Sequence, residues 1–187
     1  MELWDLYDSD RRLNGKTMVR GEPVPEGCWH IVVHICLFNR KGEMLIQQRQ
    51  LFKEGWSGLW DVTTGGSSVA GDTSSSAAER ELFEEVGIRL SFEDRVPDFS
   101  FGDRYSNVLD DWYFADGEAD PDSLTLQYEE VKQVKWASKE EILSMIGDGS
   151  FIPYHPSFIE LLFCLHAKGS LRFGGDHTVQ APKPSEA

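Results

Sequence analysis

The feature that most constrains the fold is a double glycine followed closely by a capped helical pattern. Gly65-Gly66 ends a short run of strand-forming residues, and Asp72 or Thr73 is placed to N-cap a helix that continues to about Val86. Gly87 stands where a left-handed C-terminal cap is expected. A strand, a tight turn and an amphipathic helix in this order predict an α/β unit with a turn that approaches a ligand closely.

Three carboxylates share one side of this predicted helix. Each residue advances by about 100°, so Glu81, Glu84 and Glu85, at positions i, i+3 and i+4, project together. Hard oxygen ligands of this kind suit Mg²⁺ or Mn²⁺. The same spacing is also typical of a solvated acidic helix face. Arg80 is placed to orient the carboxylates by charge-assisted hydrogen bonds, which favours a site over a plain surface.

The other hydrophobic patterns predict one α/β domain. The predicted strands cover residues 3–7, 16–20, 30–38, 44–48, 60–63, 108–115 and 131–137, and further helices cover residues 138–146 and 158–167. Residues 173–187 carry glycine, proline and charge without periodicity, so they are predicted to form a disordered tail.

Composition narrows the function classes. The chain has 187 residues and a formal charge of -14, which argues against binding to a nucleic-acid polymer or an anionic membrane. Divalent cations would let an anionic substrate approach such a protein. Cys28, Cys36 and Cys164 lack the spacing of a metal or disulfide framework and are expected to be buried free thiols. The absence of a signal-peptide pattern or a long apolar run predicts a cytoplasmic location.

The stretch from Gly66 to Ile88 resembles the Nudix box, whose pattern is G-x5-E-x7-R-E-U-x-E-E-x-G-U with U an aliphatic residue. The matching positions are Gly66, Arg80, Glu81, Leu82, Glu84, Glu85, Gly87 and Ile88. Asp72 replaces the first glutamate and keeps its charge with a shorter side chain. The resemblance extends over most of residues 29–146.

The resemblance implies a fold and an activity. The fold is an α/β/α sandwich with a mixed sheet between helices, in which residues 1–28 are an N-terminal extension of the sheet and residues 29–172 form a Nudix hydrolase domain. The implied activity is Mg²⁺-dependent (or Mn²⁺-dependent) hydrolysis of the diphosphate bond in a nucleoside diphosphate linked to another group. The expected partner is a small-molecule diphosphate, with a homodimer as one alternative for the oligomeric state.

The resemblance also implies roles for residues of the box. Glu84 and Glu85 would bind metal, Glu81 would bind metal or act as a base, and the Gly65 carbonyl would add a ligand. Arg80 would orient these groups as part of the catalytic set.

Outside the acidic residues of the box, the candidates are less specific. Trp56, in a polar loop, is a candidate for substrate recognition together with Gly66 and His30, although a structural role is favoured for His30 and His34. Hydrolases of this fold often place a further acid near the metals, and the sequence does not choose among Asp110, Asp111, Glu129 and Glu130.

The same region is also similar to the branch of the family that contains isopentenyl-diphosphate isomerases. In those enzymes the strand ends in a catalytic cysteine followed by G-H-P, and here Gly65 falls on the cysteine and Ser67 on the metal-binding histidine. His30 matches a second metal histidine. Because glycine has no proton to give, hydrolysis is favoured over isomerase-like chemistry. A non-catalytic Nudix-fold binding module is a third alternative, which the intact glutamate set disfavours.

Overall fold

The computed structural model describes residues 2–168 and shows a mixed sheet with helices on both faces. The strands are β1 (Leu3–Tyr7), β2 (Leu13–Val19), β3 (His30–Phe38), β4 (Met44–Arg49), β5 (Trp60–Asp61), β6 (Thr64–Ser67), β7 (Phe99–Asp103), β8 (Val108–Asp116) and β9 (Val131–Ala137). The helices are α1 (Ser74–Val86), α2 (Lys139–Asp148) and α3 (Pro156–Lys168).

The main sheet is organised around β3. This strand runs parallel to β8 and antiparallel to β6, and it pairs with β4 only where Phe38 faces Met44. On the far side, β4 pairs with β5 and β9, while β7 extends the sheet beyond β8. Because β3 and β4 separate after one pair, the glycine strand β6 lies beside β3, with Gly65 opposite His34 and Gly66 opposite Val33.

Alternating side chains of β3 divide the core into two layers. Val33 and Ile35 pack on the face that α1 covers, where Ala78 and Leu82 are fully buried. Cys36 and Phe38 belong to the opposite layer, which α2 and α3 cover with apolar side chains that include Ile142, Met145, Ile159 and Leu162. This arrangement, the period-two pattern of a strand buried on both faces, confirms the expected α/β/α sandwich.

Both ends of α1 are capped as the sequence indicates. The Thr73 hydroxyl accepts from the Ser76 amide, and the Ser76 hydroxyl in turn accepts from the Thr73 amide, so the two form a capping box. Gly87 takes a left-handed conformation with φ of 73° and donates to the Phe83 carbonyl. Thr73, and not Asp72, is therefore the N-cap, which leaves the Asp72 carboxylate free for other contacts.

The N-terminal segment differs from the expectation. Strands β1 and β2 form a separate two-stranded sheet, whose backbone bridge to the rest of the fold joins Tyr7 to Trp29, the residue before β3. The expected extension of the main sheet was therefore wrong. The hairpin buries Leu6, Met18 and Cys28 in a small core of its own, so its apolar face is already covered without joining the sheet edge.

Three further expectations have different outcomes. Cys28 and Cys36 are buried free thiols, whereas Cys164 is only half-buried. Strand β7 was not predicted, because its exposed positions include Ser100 and Gly102, which break the apolar pattern. The predicted tail at 173–187 lies outside the described residues. Within residues 2–168, no helix has the length and apolar character needed to cross a bilayer.

Candidate active site

A cleft of about 640 Å³ opens beside the glycine strand and the carboxylate face of α1. Its lining combines the hairpin, the sheet and the loops around them. The lining residues are Glu2, Arg20, Val32, His34, Arg49, Lys53, Trp56, Asp61, Gly65, Gly66, Ser67, Arg80, Glu81, Glu84, Glu85, Gln127, Glu130, Ile152, Pro153 and Tyr154. All box residues that were expected to act chemically therefore meet in one cavity.

The Glu81 carboxylate lies directly against the backbone of Gly66. A Cβ added at Gly66 would stand 2.4 Å from Glu81 Cδ, closer than any side chain tolerates. The glycine is therefore required so that the carboxylate can reach the turn. This contact is the structural reason for the spacing between the first glycine and the glutamates of the box.

Arg80 connects the acidic groups of the helix. Its Nη1 donates to Glu81 Oε1 at 2.7 Å and to Glu84 Oε2 at 3.2 Å. Its Nε and Nη2 donate to Asp72 Oδ2 at 3.2 and 3.0 Å, and Nη2 also reaches the Ser67 carbonyl. The shorter Asp72 side chain thus holds the guanidinium in place, and the consensus glutamate is not needed for that contact.

Glu85 is the most buried of the three glutamates, with 5% of its surface exposed. Gln47 Nε2 donates to its Oε2 at 2.9 Å. Burial raises the pKa of Glu85 well above its ordinary value, and the neighbouring Glu81 raises it further. Burial also raises the pKa of Glu81, although Arg80 opposes that shift. Two carboxylates in this environment are costly to ionise together unless a cation neutralises them.

The chemistry of these donors fits a hard divalent cation. Carboxylate oxygens and a backbone carbonyl are the ligands that Mg²⁺ prefers, and Glu81 is close enough to Glu85 to raise the pKa of Glu85. Within residues 2–168, no three acidic, histidine or cysteine side chains are already arranged as a ligand set. Arg80 forms ion pairs with both Glu81 and Glu84, so its guanidinium links these two carboxylates.

The cleft lining also includes basic side chains that were not predicted from the sequence. Lys53 Nζ lies 2.5 Å from Glu130 Oε2, and Arg49 contributes a second cation near Asp61. The Nε atom of Arg49 is buried and has no hydrogen-bond partner among residues 2–168. Arg49 and Lys53 are four residues apart after a predicted strand, and this spacing was the available signal.

A second polar group joins the floor of the cleft to the α3 side. Asp61 Oδ1 accepts from the Tyr154 hydroxyl at 3.1 Å and from the Val62 amide at 2.8 Å, and burial raises the pKa of Asp61. His34 Nε2 bonds to Asp110 Oδ1 at 2.9 Å. Sequence reasoning missed Asp61 because a single acid at the end of a strand has no motif around it.

Gly65 is closely packed by His34. A Cβ at position 65 would lie 2.9 Å from His34 Nδ1 and 3.1 Å from the Val33 carbonyl oxygen. The imidazole therefore occupies the space into which a cysteine side chain would project. The residue missing for isomerase chemistry is thus replaced by a packed histidine and not by an open space.

Two of the candidates outside the box, Trp56 and Glu130, line the cleft. Trp56 is 53% exposed. Its φ of 52° is an uncommon backbone conformation for a tryptophan. Glu130 is the only one of the four further acids in the lining of this cavity.

The other candidates lie elsewhere. His30 is buried and stacks on Trp4 with ring centroids 4.4 Å apart, outside the cleft lining. Asp111 is fully buried and bonds to Arg11, and Glu129 is exposed. Their assignment as substrate-binding or catalytic residues has no support from these positions. Asp110 lies beyond His34, in a neighbouring pocket.

Comparison with known proteins agrees with the fold and the cleft. The NUDIX domain model matches residues 29–159. An uncharacterized Nudix hydrolase of Listeria monocytogenes is 42% identical over 173 residues, covering 92% of this chain and 100% of its own length. The crystal structure of DR0079 from Deinococcus radiodurans has a TM-score of 0.68 at 23% identity, covering 86% of this chain and 97% of that chain.

The fold and the carboxylate cleft define a Nudix enzyme, and the chain belongs to the Nudix hydrolase family. Similarity to the isomerase branch is also present. An isopentenyl-diphosphate Delta-isomerase of Corynebacterium diphtheriae is 27% identical over 170 residues, covering 87% of this chain and 92% of its own.

Proposed function

We propose that this protein hydrolyses the diphosphate bond of a nucleoside diphosphate linked to another group, with Mg²⁺ as its cofactor and Mn²⁺ as a substitute. The observation that carries the proposal is that the buried Glu85 and the partly buried Glu81 line one cleft together with Arg49 and Lys53. A diphosphate suits both sets of side chains, since its oxygens can bind cations held by the carboxylates and can also accept hydrogen bonds from Arg49 and Lys53.

Glu81, Glu84, Glu85 and the Gly65 carbonyl are the proposed metal ligands. A cation held by these groups would polarise water for attack on phosphorus and would neutralise charge on the leaving oxygen. Arg80, held by Asp72, sets the positions of Glu81 and Glu84. Glu81 either binds metal or takes a proton from the attacking water. Water adds to one phosphorus as the bridging P–O bond breaks, so the two products each carry a phosphate.

The residues outside the box hold the substrate. The unpartnered Nε of Arg49 is the proposed donor to a phosphate oxygen. Lys53, paired with Glu130, is the proposed second contact, and Trp56 at the rim is the proposed contact for the rest of the substrate. The substrate is a small molecule, whereas the cytoplasmic location and a homodimer remain predictions.

One screen tests the proposal. The protein is incubated with Mg²⁺ and nucleoside, dinucleotide, sugar and isoprenoid diphosphates, and phosphate-containing and isomerised products are both measured. Wild type is expected to cleave at least one compound, and Glu84→Gln is expected to lower kcat/KM by roughly 100-fold or more, because groups that only support metal ligands already contribute about 10–100-fold.

Glu140→Gln is the matched control, since it makes the same change at an exposed helical glutamate. Cleavage of no compound, or equal activity of Glu84→Gln and wild type, would show that the proposed mechanism is wrong. Isomerisation of isopentenyl diphosphate without hydrolysis would favour the isomerase alternative.

A further inference from the structure

An aromatic pocket of about 400 Å³ adjoins the cleft on the α3 side. His34 and Tyr154 line both cavities, so the pocket and the cleft are neighbours that share these two side chains. The remaining lining residues are Phe101, Asp103, Asp110, Trp112, His155 and Phe158. None of them belongs to the Nudix box. If the diphosphate of the substrate binds in the cleft, one of the two groups attached to that diphosphate can lie in this pocket.

The walls of the pocket suit a flat ring. Phe158 lies edge-on to Trp112, with centroids 4.9 Å apart, and near-parallel to Tyr154 at 5.7 Å. Phe101 is 40% exposed and lies edge-on to Phe158 at 6.2 Å. Aromatic side chains that line a binding site stack on nucleobases.

The polar edge of the pocket indicates which kind of ring fits. Asp110 uses Oδ1 to bind His34, and its Oδ2 has no partner among residues 2–168. The Asp103 carboxylate accepts from Ser106 and the Tyr105 amide. A carboxylate oxygen accepts hydrogen bonds and repels anions, so the free Oδ2 of Asp110 suits an amino group.

We infer that this pocket holds the nucleobase of the substrate and favours a base with an exocyclic amino group, such as adenine or cytosine. The inference rests on the proposed function for the diphosphate site, and it adds the identity of the nucleobase attached to that diphosphate through the ribose. Phe101 and Phe158 stack on the ring, and Asp110 accepts from the amino group.

The test measures binding of nucleoside monophosphates, which lack the bond that is cleaved. Calorimetry with Mg²⁺ present compares AMP with IMP and CMP with UMP, since each pair differs in an amino group against a carbonyl. The amino member of each pair is expected to bind about tenfold more tightly to wild type. Asp110→Asn is expected to remove this preference, because an amide both donates and accepts.

Variants of one hairpin test the stacking. Phe101→Ala and Phe101→Leu are both expected to weaken AMP binding about fivefold to tenfold, because leucine restores apolar contact but no aromatic face. Tyr105→Ala is the control, since Tyr105 is fully exposed in the same β7–β8 turn and lies outside the pocket. It is expected to leave binding unchanged.

Equal affinity within both pairs, full binding by Phe101→Ala, or tighter binding of dimethylallyl monophosphate than of AMP would each overturn the inference. These results are separable from the proposed function. Hydrolysis of diphosphates with no base preference would reject the pocket assignment alone, whereas base-selective binding with no hydrolysis would reject the proposed reaction alone.

Discussion

Some single residues that are proposed to bind metal also lower the stability of the metal-free fold, and Glu85 is the clearest case. Its carboxylate is buried beside Glu81 with one neutral donor, Gln47. A carboxyl whose pKa is raised in the folded state binds more protons there than in the unfolded chain. Folding stability therefore falls as pH rises from the ordinary carboxylate pKa through the raised one.

Glu85→Gln is accordingly expected to stabilise the metal-free protein at neutral pH. The gain should appear as a rise in Tm of about 2–4 °C for each kcal/mol of removed penalty, measured by thermal unfolding in EDTA. The stabilisation by added Mg²⁺ should shrink or disappear in the same variant. Glu84→Gln serves for comparison, because its side chain is 47% exposed and should change Tm less. A lower Tm for Glu85→Gln than for wild type would show that the buried Glu85 carboxylate does not destabilise the metal-free protein.

Gly65 and His34 form a packing pair that bears on the choice between hydrolase and isomerase. Because a Cβ at Gly65 meets the His34 ring at 2.9 Å, Gly65→Ala is expected to cost about 1–3 kcal/mol, the usual range for overpacking. In the His34→Ala background the same change should cost less, and urea unfolding of the four proteins gives the coupling energy. Gly65→Cys alone is expected to yield no isomerase activity. Additive costs would show that the two residues are not in contact.

At the level of elements, β8 and the N-terminal hairpin are joined by an ion pair between the partly exposed Arg11 and the buried Asp111. Arg11 Nη2 bonds to both carboxylate oxygens of Asp111, at 2.7 and 2.6 Å, while Ser74 at the start of α1 and Ser100 in β7 donate to the same carboxylate. Asp111 therefore connects four elements. The same hairpin carries Glu2 and Arg20 to the cleft, so this junction positions part of the cleft wall.

Arg11→Ala is expected to destabilise the fold by about 1–3 kcal/mol. The figure is below the ~3–5 kcal/mol of a fully buried pair, because Arg11 is 37% exposed and the serines still donate to Asp111. Asp111→Asn should also lower stability but leave Mg²⁺ affinity unchanged, as measured by calorimetry. A large loss of metal affinity in Asp111→Asn with unchanged stability would return Asp111 to the catalytic set.

At the level of the whole molecule, the formal charge of -14 and the acidic cleft together make stability sensitive to cations. General screening acts on every surface carboxylate, whereas a bound divalent ion acts through Glu81, Glu84 and Glu85. A cation that binds only the folded state raises the free energy of unfolding by RT ln(1 + [L]/Kd), where [L] is the free cation concentration. The two effects can be separated at matched ionic strength.

The difference in Tm between Mg²⁺ and NaCl of equal ionic strength is expected to widen as pH rises from about 5 to 8. Glu81 and Glu85 must lose protons before they bind a cation, and burial raises the pKa of both. Differential scanning fluorimetry over this range gives the measurement. A difference that is constant with pH, or that persists unchanged in the Glu81→Gln variant, would exclude these carboxylates as the sites of the effect.

The sequence by itself determined the parts of the protein that depend on local spacing. The helix, its caps and the common side of Glu81, Glu84 and Glu85 follow from a repeat of about 3.6 residues per turn, and the box pattern identified the family. The β-branched and aromatic residues of β3 likewise predicted a strand at residues 30–38. In each case neighbours along the chain are also neighbours in space.

Only the tertiary structure decided which distant residues meet. In the folded structure the cleft lining includes Arg49, Lys53, Asp61 and Tyr154. It does not include His30, Asp111 or Glu129, which had been candidates. The tertiary structure also packed His34 against Gly65. These outcomes depend on strand order, on the separation of β3 from β4 and on the docking of the hairpin. Such contacts join segments far apart in the chain, and no local pattern of residues encodes them.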